Sequence, residues 1–96
     1  MMGIQMDELR ALISTGHEVE FAFKDNLYIM QPEIYEGRAY LAIWDCTSEG
    51  VCIYRHSTPA EDEIPQDVID NVFDEKCFSG KAFKEIESEV TVKNIY

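Results

Sequence analysis

Apolar positions recur along this chain with two different periods. Leu9, Leu12 and Ile13 fall at i, i+3 and i+4, and Ile4 or Met6 extends the same face, which is the spacing of an amphipathic helix. A helix over residues 4–15 is therefore predicted. Asp7 and Glu8 in its first turn complement the helix dipole. Gly16 closes it, because glycine takes the left-handed conformation of a helix end without strain. From Val19 the period shortens to two. Val19, Phe21 and Phe23 alternate with Glu20, Ala22 and Lys24, as on a half-buried strand. Asp25-Asn26 predicts a turn, and Leu27 to Gln31 a second strand ended by Pro32, which lacks a ladder donor. Residues 32–38 read as a loop around Gly37, and Ala39 to Asp45 as a third strand. Thr47-Ser48-Glu49-Gly50 reads as a turn, and Val51 to His56 as a fourth strand.

The helical period returns in the second half. Thr58-Pro59-Ala60-Glu61 has the spacing of a capping box, but Pro65 stops any helix begun there. A short turn at 58–62 and a helix over 64–75 follow, with Ile64, Val68, Ile69, Val72 and Phe73 on its apolar face. Ser79 is the expected cap of a last helix through Ser88, with Ala82, Phe83 and Ile86 inward. The tail from Glu89 to Tyr96 alternates weakly, a pattern that serves either an added strand or an extended arm. The predicted fold is a single α+β domain over residues 1–96. It comprises an N-terminal helix, a four-stranded antiparallel meander, and one or two C-terminal helices on one sheet face.

This arrangement divides the strand residues between two faces. Val19, Phe21, Leu27, Ile29, Leu41 and Ile43 are expected to meet the helices. Tyr28, Met30, Tyr40, Trp44 and Tyr54 are left for the other face, with Trp44 paired across the hairpin to Tyr54. A patch of Tyr, Trp and Met exceeds what a monomer usually leaves exposed and points to an interface. The alternative is internal packing beneath a helix, the tail or a twin subunit.

Composition adds size and charge. Ninety-six residues make one domain, and five Tyr, five Phe and Trp44 supply the apolar mass that disordered chains lack. Eight basic residues against 19 acidic ones give a formal charge of −11. Such a field repels nucleic acid and anionic membranes, so neither is an expected partner. It favours a basic protein, and it also serves plain solubility. The acidity has a pattern. Glu63, Asp67, Asp70 and Asp74 recur at i, i+4, i+7 and i+11, in line on a helix and opposite its apolar face. From Glu61 to Glu75 there are seven carboxylates and no basic residue. This stripe reads as the solvated side of an amphipathic helix, as a docking surface for a basic partner, or as an imitation of DNA phosphates.

Chemistry-bearing motifs are absent. Cys46, Cys52 and Cys77 are an odd number of cysteines behind an N-terminus that does not resemble a secretory leader, which predicts reduced thiols in the cytoplasm. Cys46 and Cys52 flank the third turn and could face each other, but they do not form a Cys-x-x-Cys motif. No zinc spacing and no Asp-x-Asp-x-Asp-Gly calcium loop occurs, so neither a metal nor a cofactor is expected. His56 with Cys52 or Cys77 would be the one conceivable nucleophilic pair. Phe78-Ser79-Gly80-Lys81-Ala82 lacks the first glycine and the Ser/Thr of a phosphate loop.

The opening Met6-Asp7-Glu8-Leu9-Arg10-Ala11-Leu12-Ile13-Ser14-Thr15-Gly16-His17-Glu18-Val19-Glu20-Phe21 resembles that of short uncharacterised acidic proteins of low-GC Gram-positive bacteria and their mobile elements. So do the hairpin Phe23-Lys24-Asp25-Asn26-Leu27-Tyr28-Ile29 and the closing Phe78-Ser79-Gly80-Lys81 with Phe83-Lys84-Glu85-Ile86. The resemblance implies a cytoplasmic bacterial or phage-related protein and transfers no functional residue. The leading expectation is a non-enzymatic protein–protein interaction module. It would bind a partner, or itself as a homodimer, through Glu63, Asp67, Asp70 and Asp74 or through Tyr28, Tyr40, Trp44 and Tyr54. A DNA mimic or inhibitor of a nucleic-acid enzyme is the alternative, and a small cysteine-dependent enzyme the third.

Overall fold

The computed structural model describes all 96 residues. Helix α1 spans Met6–Ser14, followed by strands β1 (Val19–Phe23), β2 (Asn26–Tyr35), β3 (Arg38–Asp45) and β4 (Val51–Ser57). Helices α2 (Gln66–Asp74) and α3 (Phe83–Ile86) come next, then a single 3-10 turn at Glu87–Glu89 and strand β5 (Val90–Ile95). The sheet order is β4-β3-β2-β1-β5, and every pair is antiparallel. The α+β class and the meander match the sequence pattern. The sheet has five strands rather than four, because the tail pairs with β1, Val90 lying opposite Phe23 and Val92 opposite Phe21. On the far side of β5 the N-terminal residues begin to pair: Met2 N donates to Val90 O at 2.9 Å and Val92 N to Met2 O at 2.8 Å.

The strands also run differently at their ends. β2 passes straight through Pro32 to Tyr35 instead of stopping there. Its last pair with β1 is Met30 with Val19, so Pro32 has a neighbouring strand on one side only. A residue without an N–H is tolerated where half of the ladder is missing. The expected loop at 32–38 shrinks to a Glu36-Gly37 turn, with φ of 52° and 78°, the left-handed geometry of a tight hairpin. The first hairpin turns at Lys24-Asp25, and Asn26 is already strand.

These turns decide which side chains meet the helices. A two-residue turn pairs an odd position with an even one, so Phe21 lies opposite Tyr28 and Val19 opposite Met30. Successive strand residues point to opposite faces, and the switch therefore applies to the whole strand. Tyr28 and Met30, expected outside, are buried beside Phe21, while Leu27 and Ile29, expected inside, face outward. The second turn switches parity back, placing Leu41 and Ile43 in the core. A bulge at Ile53 then shifts β4. Trp44 pairs with Cys52 and Ile43 with Tyr54, so the expected Trp44–Tyr54 pair is not formed.

All three helices pack on the face formed by Val19, Phe21, Phe23, Tyr28, Met30, Leu41 and Ile43. α1 contributes Leu9 and Ile13, α2 contributes Val68, Ile69, Val72 and Phe73, and α3 contributes Phe83 and Ile86. Phe21 stacks on Tyr28 at 5.5 Å and meets the edge of Phe83 at 5.3 Å, and Phe73 stacks on Phe83 at 4.8 Å. Boundaries of the helices follow local chemistry. α2 starts after Pro65, whose extended backbone serves as its N-cap. α3 begins after Ala82 rather than at Ser79. Ser79 has φ of 55° in a tight Phe78–Lys81 turn, and the Glu85 carboxylate accepts the Ala82 N–H at 3.0 Å instead. At Gly16, φ is 88°, and a Cβ there would lie 2.9 Å from Glu61 O, so only glycine lets the 59–64 loop close on the end of α1.

Candidate functional site

With every helix on one face, the opposite face of the sheet is covered by no element. Strand register assigns Leu27, Ile29, Gln31, Glu33 and Tyr35 of β2 to it, with Arg38, Tyr40, Ala42 and Trp44 of β3 and Arg55 of β4. At its centre Glu33 takes two hydrogen bonds. Trp44 Nε1 donates to Oε1 at 2.7 Å, and Arg55 Nε donates to Oε2 at 2.8 Å. Burial by itself would raise the Glu33 carboxyl. The hydrogen bonds from Trp44 and Arg55, with the Arg55 charge, outweigh it and hold the group below the ordinary carboxylate range. The Arg55 guanidinium lies over the Tyr35 ring, 4.1 Å from its centroid, and over the Trp44 ring at 5.7 Å, both within cation–π reach. Tyr35 meets Tyr40 edge-on at 6.4 Å. Beneath this canopy Ala42 is fully buried, while Tyr35 remains 45% exposed.

The eight residues singled out from sequence separate. Trp44 and Tyr40 lie on the open face as expected. Tyr28 is in the core, its hydroxyl accepting from Asn26 Nδ2 at 3.1 Å. Tyr54 is on the helix side, where burial and the nearby Glu75 raise its hydroxyl pKa. Glu33 and Tyr35, which complete the cluster with Arg55, fall outside the sequence expectation because it ends the strand at Pro32. Arg55 falls outside it because the expected alternation puts its neighbour Tyr54 on this face, and the bulge at Ile53 exchanges the two. Once β2 runs through Pro32, the alternation Glu33-x-Tyr35 against Arg38-x-Tyr40-x-Ala42-x-Trp44 marks the same face.

The acidic stripe is only partly assembled. Glu63 lies before α2, in an open cleft of about 650 Å³ between Ser14-Thr15 and the Pro59–Gln66 segment. Asp70 pairs with Arg10 of α1, and Asp74 pairs with Lys84 of α3 at 2.8 Å. Asp67 alone keeps an exposed, unpaired position in the helix. Two of the four carboxylates are thus neutralised by cations from neighbouring helices.

The cysteines are all free. Burial raises each thiol, that of Cys77 to about 11, the opposite of what an activated thiolate requires. Cys52 and His56 point to opposite faces of β4. His56 Nδ1 lies 2.7 Å from Ser57 O and Nε2 3.3 Å from Asn71 Nδ2, so its ring is engaged without a thiol. No group of three or more His, Cys, Asp or Glu side chains is arranged to hold a metal ion. No helix is long and apolar enough to cross a membrane. Comparison with protein-family models, with curated proteins and with solved structures yields no match.

Proposed function

We propose that this chain is a non-enzymatic protein–protein interaction module that docks through its uncovered sheet face. The observation that carries the reading is the Trp44–Glu33–Arg55–Tyr35 cluster. Trp, Tyr and Arg are the residues that concentrate binding energy at interfaces. Here they are locked against one another by two short hydrogen bonds and a stacked guanidinium. Side chains ordered in advance lose little further entropy on binding. The Glu33–Arg55 pair is already satisfied within the molecule, so covering it leaves no unpaired charge. Three free thiols fit a reducing compartment such as the cytoplasm.

A DNA mimic has less support. It calls for an unbroken array of carboxylates, whereas Arg10 and Lys84 interrupt the α2 stripe. The test is retention from a lysate of the source organism at low and moderate salt. Trp44→Ala and Tyr40→Ala should each weaken retention of a specific partner about tenfold or more, as interface hot spots do. Asp67→Lys should leave it unchanged. Loss with Asp67→Lys and retention with Trp44→Ala would move the docking surface to α2 and overturn the reading.

A further inference from the structure

The outer face is set apart from the rest of the molecule by charge. The strand residues that the register places there include two carboxylates, Glu20 and Glu33, and two guanidiniums, Arg38 and Arg55. These four charges cancel on a chain whose net charge is −11. Lys93, exposed at the bulge of β5 and without a partner in β1, adds no carboxylate, so the acidic excess resides elsewhere. The carboxylates of the face are also engaged, Glu33 by Arg55 and Trp44 and Glu20 by Asn94 Nδ2 at 2.7 Å. A basic partner would find its complement on the other surfaces, where the free carboxylates are.

We infer that the occupant of this face is a second copy of the same chain, the two sheets packing face to face about a two-fold axis. The inference rests on the docking reading above and names its partner. A two-fold interface sets the same patch against itself, so every net charge on it would meet its like. On this face the carboxylates and guanidiniums cancel, so that penalty is small. Leu27, Ile29, Tyr35, Tyr40 and Trp44 supply matched apolar and aromatic surface on both sides. The dimensions are adequate as well. The 36 residues of the five strands, at ~3.3 Å by ~4.8 Å each, give a flat area of about 570 Å², which the relief of the side chains enlarges toward the ~800 Å² per partner that stable interfaces bury.

The acidic remainder of each copy opposes the approach over longer distances. Salt shortens that repulsion, with a Debye length falling from ~14 Å at 0.05 M to ~4 Å at 0.5 M. Self-association through a neutral face therefore strengthens with salt, whereas docking of a basic protein on carboxylates weakens. The sign of the salt dependence separates the two.

Sedimentation equilibrium of the reduced protein, from ~10 to ~300 µM, tests the inference. The chain should be dimeric at the upper concentrations and associate several-fold more tightly at the higher salt. Two neighbouring residues supply the control. Tyr35 faces outward and is 45% exposed, while Ile34 projects from the same hairpin to the opposite side and is 55% exposed. Tyr35→Glu should weaken the dimer about tenfold or more, equal to 1.4 kcal/mol or more. Ile34→Glu should leave it within about twofold, and both variants should retain the wild-type circular dichroism. A wild-type chain that stays monomeric at the highest concentration in both salts overturns the inference, as does a dimer equally sensitive or insensitive to both variants. If the monomeric chain still retains a host protein that Tyr35→Glu releases, the second copy is refuted and the docking reading stands. If it retains none, both fall.

Discussion

Glu33 sits where burial and pairing compete, and pairing wins. Its carboxyl is held below the ordinary value of 4.5 against the effect of burial, through Trp44 and Arg55. The folded state therefore favours the ionised form more than the unfolded chain does. That stabilisation is complete above the unfolded value and disappears as pH falls through the lower folded one. Glu33→Gln removes the charge and one accepting oxygen. At pH 7 it should cost roughly 1 kcal/mol after solvent screening. The difference in urea midpoint between wild type and Glu33→Gln should shrink as pH drops below about 4.5. A difference that stays constant as pH falls would show that ionisation of Glu33 contributes nothing to stability.

Among the elements, β5 carries more of the fold than its weak alternation suggests. It covers β1, buries Val90 against the core and receives the N-terminal residues on its other side. Burying a valine side chain contributes about 1.5–3 kcal/mol, and removing the strand also bares the β1 backbone edge. A domain of this size has about 5–10 kcal/mol in all. A chain ending at Glu89 should lose its cooperative urea transition, with near-ultraviolet circular dichroism collapsing while some helical signal persists. The nine-residue α2 likewise depends on its context. It is shorter than the ~12–15 residues an isolated helix needs, and Val68, Ile69, Val72 and Phe73 hold it by burial.

For the whole molecule, the charge of −11 is a source of self-repulsion, relieved at Asp70, Asp74, Glu85 and Glu33 by cations from other elements. Added salt should raise the thermal midpoint by a few degrees between ~0.02 and ~0.2 M. The effect is best read in the Tyr35→Glu variant, in which self-repulsion within one chain is separated from association. A midpoint that falls with salt would mean that the ion pairs outweigh the repulsion.

The local periods were sufficient to locate α1, the four meander strands and α2 to within a few residues. Each of those patterns is written in side chains three or four, or two, positions apart, and solvent sorts them without reference to the rest of the chain. The outward side of β3 was legible for the same reason, and with it Tyr40 and Trp44. The inward face of β2 was legible as well, but the expectation misassigned it. A two-residue turn, at Asp25-Asn26 as expected or at Lys24-Asp25 as formed, sets odd positions opposite even ones and so puts Tyr28 and Met30, not Leu27 and Ile29, beside Phe21. The pairing of β5 with β1 joins residues 67 to 76 apart, and the Arg10–Asp70 pair joins residues 60 apart. Neither leaves a trace in local spacing. The sequence by itself thus determined the class of fold and the acidic excess. Tertiary structure alone decided where that acidity is neutralised and which aromatic residues stand on the open face beside the Glu33–Arg55 pair, because both depend on strand register and on contacts between distant segments.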